Sequence, residues 1–353
     1  MKFNSLFKII LFGFICAFLA SSCVKEGPMG PAGADGSDGA DGSDGRDGVD
    51  GNVTCLVCHS GTNMEHKQGE FAMSAHSVGA IAVDYAGSQA RCAPCHSHEQ
   101  FVQTMTLGSV KGDITNPSAW KCNTCHGIHK TFEGIDYALR SSDPVAPIFD
   151  DTKIMDVMGN SNLCAVCHQT RRGGPSVTNP GEETFKITST HWGPHHGPQS
   201  NVVAGMGFEE IPGSVAYPAP GTSPHLTMAS CTGCHMGEFG DGQGGHSFIP
   251  SEAACNDCHN GADVNGSYNY KGTQTIVHDL LVELRDKLIE LHVVEGNDEE
   301  GYHPHTGEFP TIYAQAFFNW IGLEEDRSKG AHNPEYVKAL LLNTLEALEA
   351  EEH

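Results

Sequence analysis

Positive charge is scarce in this sequence: 20 Lys and Arg stand against 44 Asp and Glu, a formal net charge of −24. That deficit rules out a sequence-independent nucleic-acid binder, whose affinity would come from a basic face laid on the phosphates. It also argues against docking on anionic lipid through a polybasic patch. Long apolar runs are missing too, and the run over residues 9–19 is too short to cross a bilayer. No cysteine is spare for a disulfide framework, because of 14 in the chain twelve fall in six Cys-x-x-Cys pairs and the other two, Cys16 and Cys23, lie in the N-terminal segment. Sustained periodicity is rare from residue 52 to about 272, where Gly, Pro, Ser and Asn predict short helices joined by long loops. Histidine is plentiful instead. The chain holds 21 in 353 residues, about 6%, an enrichment that points to ligands.

Residues 1–22 read as a signal peptide, with Lys2 and Lys8 near the start, an apolar run, and small residues before Cys23. The stretch Leu-Ala-Ser-Ser-Cys ending at Cys23 resembles a bacterial lipobox, which makes Cys23 the expected lipidation site. The leucine stands one place early, so ordinary cleavage nearby is the alternative; on either reading the mature chain is exported. Within residues 23–51, glycine recurs at every third position from Gly27 to Gly51, a collagen-like period. Only Pro28 and Pro31 stiffen it, and Asp precedes Gly in six successive triplets. Three such chains side by side would repel one another, so a flexible acidic tether is favoured over a triple helix.

Each Cys-x-x-Cys pair is followed at once by histidine. The thiols are Cys55/Cys58, Cys92/Cys95, Cys122/Cys125, Cys164/Cys167, Cys231/Cys234 and Cys255/Cys258, and the histidines are His59, His96, His126, His168, His235 and His259. Cys-x-x-Cys-His is the covalent attachment site of c-type haem. Two thiols one helical turn apart can add across the two vinyl groups of the porphyrin, and the next residue then reaches beneath the ring to bind its iron. Paired Cys-x-x-Cys knuckles also build zinc sites, but zinc does not require histidine directly after the second cysteine. With histidine at about 6%, finding it there six times in six by chance has odds of roughly 10⁻⁸. Six covalently bound haem c groups are therefore expected.

On these motifs the chain, from residue 53 to its end, resembles the multihaem c-type cytochromes of bacterial respiration. The resemblance implies a mostly α fold with abundant loops, in which the haems form the core and C-terminal helices are added. It implies a six-haem region over residues 52–272 and a helical segment over residues 273–353 that supplies a distal ligand. His129, in Cys-x-x-Cys-His-x-x-His, resembles the arrangement of closely stacked family members, where neighbouring histidines serve adjacent haems. His76, His225 and His246 stand where distal ligands are found. The cluster His191-Trp-Gly-Pro-His195-His196 is expected to supply one more, His195 ahead of His196. His332, in Asp-x-Ser-x-Gly-x-His-Asn-Pro, resembles the C-terminal segment of pentahaem nitrite reductases and octahaem reductases, where that histidine ligates a haem. Which distal histidine serves which haem is not readable from the sequence. His303 and His305 could alternatively ligate a haem of a neighbouring subunit.

Three helices are expected after residue 275. Over residues 276–294 the row Ile276, Leu280, Leu284, Leu288 and Leu291 recurs at helical spacing; residues 311–323 form a second candidate with Phe317, Phe318 and Trp320. The third has Asn333 as N-cap and Pro334 at the first helical position, and runs through Leu341, Leu345 and Leu348.

Two functions follow. The favoured one is an exported carrier, periplasmic or on the cell surface as an outer-membrane lipoprotein, passing electrons along bis-histidine haems to an extracytoplasmic acceptor. Its partners would be other cytochromes or a membrane quinol-linked donor, with the lipid anchor holding it to the membrane and a homo-oligomer or filament left open. The alternative is a reductase of nitrogen or sulfur oxyanions with one open-site haem. The nitrite reductases usually mark that haem with Cys-x-x-Cys-Lys, and all six motifs here carry histidine instead.

Overall fold

A computed structural model describes residues 53–131, 136–259 and 268–351. The expected signal peptide, the lipidation site Cys23, the Gly-x-y tether and His353 lie outside the described residues. Asn52–His353 forms one compact unit. Its fold is mostly helical, with four short strands and long irregular connections among the described residues.

Helices α1 (Val53–His59), α2 (Gly61–Ala72), α3 (Ala75–Val78), α4 (Ala80–Ala86), α5 (Ala93–His96) and α6 (His98–Leu107) open the unit. Serines start three of them. Ser60, Ser74 and Ser97 each accept from the backbone N–H three residues on, at Asn63, Ser77 and Gln100, satisfying donors that a helix start leaves unpaired. Then come α7 (Cys122–Cys125), α8 (Asn162–Ala165), α9 (Pro175–Thr178), α10 (Gln199–Ala204), α11 (Pro224–Met228), α12 (Ser230–His235) and α13 (Glu252–Asn256). These are single turns or little more. Pro175 and Pro224 can only begin a helix, and Gly205, in the left-handed region at φ 70°, closes α10.

The long helices are α14 (Thr273–Glu290), α15 (Thr311–Asp326) and α16 (Pro334–Ala350). As expected, Asn333 caps α16 by accepting from the Tyr336 N–H, with Pro334 inside the first turn. The face of α14 differs from expectation. Its buried row is Val277, Leu281, Leu284 and Leu288, while Ile276 is 46% exposed and Leu280 and Leu291 only border the core. Successive steps of four residues swing a row around the helix by about 40° each, whereas alternating steps of four and three stay in line. The helix also ends at Glu290, and Val293 and Val294 are buried in the connection that follows.

That connection holds a hairpin the sequence pattern did not suggest. Strands β2 (Val294–Asn297) and β3 (Gly301–Pro304) pair antiparallel, and Asn297 turns the chain by accepting from the N–H groups of Glu299 and Glu300. Strand β1 (Thr184–Ile187) pairs with β4 (Gly307–Pro310), with Phe185 opposite Phe309. Four-residue strands give too few alternations for a period to register.

The main core is built from α14–α16 together with Phe185, Ile187, Trp192 and Val202. Trp192 stacks on Phe317, ring centres 5.7 Å apart. A second, small cluster joins Met155, Val157, Ala165, Val203, Ala204 and Leu226. Both clusters lie beyond residue 150, and before it large apolar side chains such as Leu56, Val57, Val78, Ile81 and Tyr85 stand exposed in the polypeptide.

Candidate metal centres

Each motif occupies one helical turn. The His126, His168 and His259 N–H groups donate to the carbonyls of Cys122, Cys164 and Cys255, at 3.0, 2.9 and 2.8 Å. That turn sets two thiols and an imidazole on one local scaffold, and at six places in the structure such an imidazole faces a second one.

The polypeptide does not enclose the twelve thiols equally. Cys55 and Cys58 of the first motif, Cys122 of the third and Cys258 of the last are exposed, whereas Cys92, Cys95, Cys125, Cys164, Cys167, Cys231, Cys234 and Cys255 are half-buried. The bonds at Cys58 and Cys258 are local ones. The Cys58 carbonyl accepts from the Asn63 amide at 2.7 Å, and the Cys258 N–H approaches the Cys255 carbonyl at 3.3 Å. The polypeptide alone thus leaves Cys58 and Cys258 exposed. Their assignment rests on the motif and on the histidine pairs beside them.

His59 faces His129 with ring centres 6.0 Å apart, His76 faces His168 at 6.0 Å, and His96 faces His195 at 6.0 Å. His126 faces His246 at 6.1 Å, His225 faces His259 at 6.0 Å, and His235 faces His332 at 6.3 Å. All six motif histidines and all six expected distal histidines are used, each once. An imidazole nitrogen sits about 2.0–2.1 Å from a bound metal and roughly 1.1 Å from its own ring centre, so two imidazoles on opposite sides of one ion have centres about 6.3 Å apart. The six separations match that span. The residues present therefore fit six irons, each of which two imidazoles could hold beside two thiols able to fix a porphyrin.

The other ring nitrogen of several of these histidines is held. His126 Nδ1 lies 2.6 Å from the Tyr137 carbonyl, His235 Nδ1 2.9 Å from that of Phe248, and His225 Nδ1 against that of Ala331. His168 Nδ1 is 3.2 Å from Gln199 Oε1. Two meet carboxylates, His129 with Asp136 at 3.3 Å and His332 with Asp326 at 2.6 Å. Tyr137 and Phe248 both adopt left-handed backbone, φ 46° and 57°, as does His195 at φ 82°. Bulky residues rarely take that conformation, and such strain concentrates where a group must be aimed.

Burial lowers the pKa of most of these imidazoles, bringing His76 and His195 to about 4 and depressing His96, His168, His235 and His246 as well. They are therefore neutral at pH 7, the form whose lone pair binds a metal. Burial works the same way on His332, but the Asp326 carboxylate outweighs it and the net shift is upward.

The motifs also meet one another. The Cys95 thiol interacts with Cys167, and the Cys164 thiol with Cys231, so the fourth motif lies between the second and the fifth. Arg171 reaches the second as well, with Nη1 4.0 Å from Cys92 Sγ.

The remaining described histidines have other surroundings. His196, the alternative to His195, makes an ion-pair contact with Glu325 at 2.7 Å. His66 lies 3.4 Å from Glu70, His98 bonds Thr124 at 2.7 Å, and His305 lies 3.4 Å from Glu295. His191 and His303 are 6.1 Å apart, but both are exposed and belong to no Cys-x-x-Cys-His motif. Spacing alone does not define the six centres; the partnership of a motif histidine with a second imidazole does.

No protein-family model and no curated protein matches the chain. Among solved structures, the crystal structure of outer cell wall cytochrome OcwA is similar, with a TM-score of 0.48 and 19% sequence identity over 80% of this chain and 50% of that one. The chain thus spans about half the length of that structure.

Proposed function

We propose that this chain is an exported hexahaem c-type cytochrome that carries electrons between a respiratory donor and an acceptor outside the cytoplasm. The observation that carries the proposal is the set of six imidazole pairs, each joining a Cys-x-x-Cys-His histidine to a second histidine 6.0–6.3 Å away. Bound haem supplies one-electron iron chemistry, with imidazole on both faces favouring lower potentials than methionine ligation.

The polypeptide's part is to hold and to close. Twelve thiols fix the groups, the exposed Cys58 and Cys258 among them. The motif histidines would each hold an iron, with His76, His129, His195, His225, His246 and His332 supplying the second imidazole. Two imidazoles at every site would leave no iron position for an oxyanion, which favours a carrier over a reductase. The net charge of −24 suits basic protein partners or cationic acceptors. Cys23 anchors the chain to a membrane, and the acidic Gly-x-y segment holds the folded unit away from it.

The test is spectroscopic. Intact mass and the pyridine haemochrome assay on the mature chain should give six haems. The oxidised protein should show low-spin bands alone, unchanged by cyanide or nitrite. A high-spin ferric signal of about one haem per chain would replace the carrier with the reductase reading. A colourless, zinc-containing protein would end both.

A further inference from the structure

The six sites differ in what holds the outer nitrogen of their histidines, and one stands apart. At His332, Nδ1 lies 2.6 Å from Asp326 Oδ1, and the Asp326 side chain is only 1% exposed. The second carboxylate oxygen, Oδ2, is bonded by the Ser328 hydroxyl and approached by the Ser328 N–H, while the His332 N–H donates to Ser328 Oγ at 3.2 Å. Asp326 is the last residue of α15, and its carbonyl is approached by the Gln199 amide. The carboxylate is therefore fixed at both ends, with one oxygen given to the imidazole.

No other site among the described residues has this arrangement. His129 also meets a carboxylate, but at 3.3 Å, and the oxygen that faces it, Asp136 Oδ2, also accepts from the Lys130 and Thr131 N–H groups, whereas the Ser328 donors fall on Asp326 Oδ2 and leave Oδ1 to the imidazole. The His129 side chain is one-third exposed, so water screens what remains. Glu70 stands 3.7 Å from His246 Nδ1, beyond hydrogen-bond range, and is paired with Lys67. His126, His225 and His235 face neutral carbonyls and His168 a neutral amide. A buried carboxylate on the outer nitrogen fixes the tautomer, makes the ligating nitrogen more basic and favours the more positive state of the metal.

We infer that Asp326 is a positioning residue that pushes electron density through His332, making the iron between His235 and His332 the lowest-potential site of the six. This rests on the six-pair reading above and goes beyond it, since that reading ranks no site.

The experiment is a redox titration of the mature holoprotein, following the ferric low-spin signals by electron paramagnetic resonance. Asp326→Asn leaves a neutral oxygen in place of the carboxylate. It should raise the lowest component so that its ferric-to-ferrous ratio at a fixed potential falls about tenfold, about 59 mV for a one-electron couple, with the other five unmoved. Ser328→Ala removes the hydroxyl that shares the carboxylate's charge and should move the same component further down. A merely structural role predicts no such opposition of sign. If Asp326→Asn fails to mature, the Ser328→Ala arm stands alone, and an upward or absent shift there overturns the inference. So does an Asp326→Asn protein with six low-spin haems and unchanged potentials. Fewer than six haems in the wild-type chain would instead defeat the function proposed above, whatever the potentials show.

Discussion

His195 and His196 share one loop but not one environment. His195 turns inward on left-handed backbone to face His96, and burial keeps it neutral. His196 turns outward to Glu325, whose contact raises its pKa. Replacing His195 with alanine should therefore open one iron, giving about one high-spin, cyanide-responsive haem per chain, whereas His196→Ala should leave the absorption spectrum unchanged; the reverse result would exchange their roles. A second residue-scale prediction concerns Glu209, which is buried and accepts from the Ser176 N–H and the Gln315 amide. Burial raises its pKa above the ordinary 4.5, and those donors offset the shift only in part. The folded state thus binds this proton more tightly than the unfolded chain does. Its contribution to stability is full below pH 4.5 and is lost as pH rises through the higher folded value. Glu209→Gln, neutral throughout, should melt at a higher temperature than the wild type at pH 7 and at the same temperature near pH 4. A lower melting point at pH 7 would show that the charged form is the one the fold prefers.

The helices divide into two kinds with different sources of order. The motif turns are too short to be stable alone, because a single hydrogen-bonded turn fixes more backbone freedom than one bond returns. Their residues were nevertheless the most legible part of the sequence, since covalent chemistry dictates Cys-x-x-Cys-His letter by letter. Those letters did not say how far the polypeptide itself would cover each thiol, and it leaves Cys58 and Cys258 exposed. The distal histidines were nearly as legible as individuals, yet their pairing was not. His168 meets His76 from far back in the chain, a contact made by tertiary packing that no local spacing encodes. Asp136 and the carbonyls of Tyr137 and Phe248 belonged to no pattern at all, while Asp326 and Ser328 stood in the segment noted around His332 without a role. The long helices follow ordinary amphipathic rules, and a miscounted step was enough to put Ile276 on the wrong face. Leu284 tests the assignment. It is fully buried between α14 and its neighbours, so Leu284→Ala should cost about 2–5 kcal/mol of local stability. Hydrogen exchange across α14–α16 should quicken accordingly while the haem content stays that of the wild type. A variant that lost haem instead would mean that the C-terminal helices and the haem sites fold as one cooperative unit.

Across the whole molecule, apolar burial is unevenly spread. The larger cluster gathers α14–α16 around Trp192, whereas the stretch before residue 150 buries little beyond Val83, Ala86, Ala93, Phe101 and Ala138. Ordering a residue costs on the order of 1–2 kcal/mol of backbone entropy, and a segment with so few buried side chains does not recover that from its own contacts. Apart from His332, between α15 and α16, the paired histidines lie along this poorly cored stretch and the chain that joins it to the C-terminal helices, so on the function proposed above metal–ligand bonds and porphyrin faces would supply the missing free energy. Ligand binding that accompanies folding contributes its affinity directly to stability. The full chain made without haem attachment should then separate into two behaviours. Hydrogen exchange should find slow amides in α14–α16 and in β1 with β4, and rapid exchange across α1–α7. Attachment should extend protection to the motif turns. Equal protection along the unattached chain would mean that the polypeptide supplies its own core, and the placement of the haems at the centre of the fold would have to be abandoned.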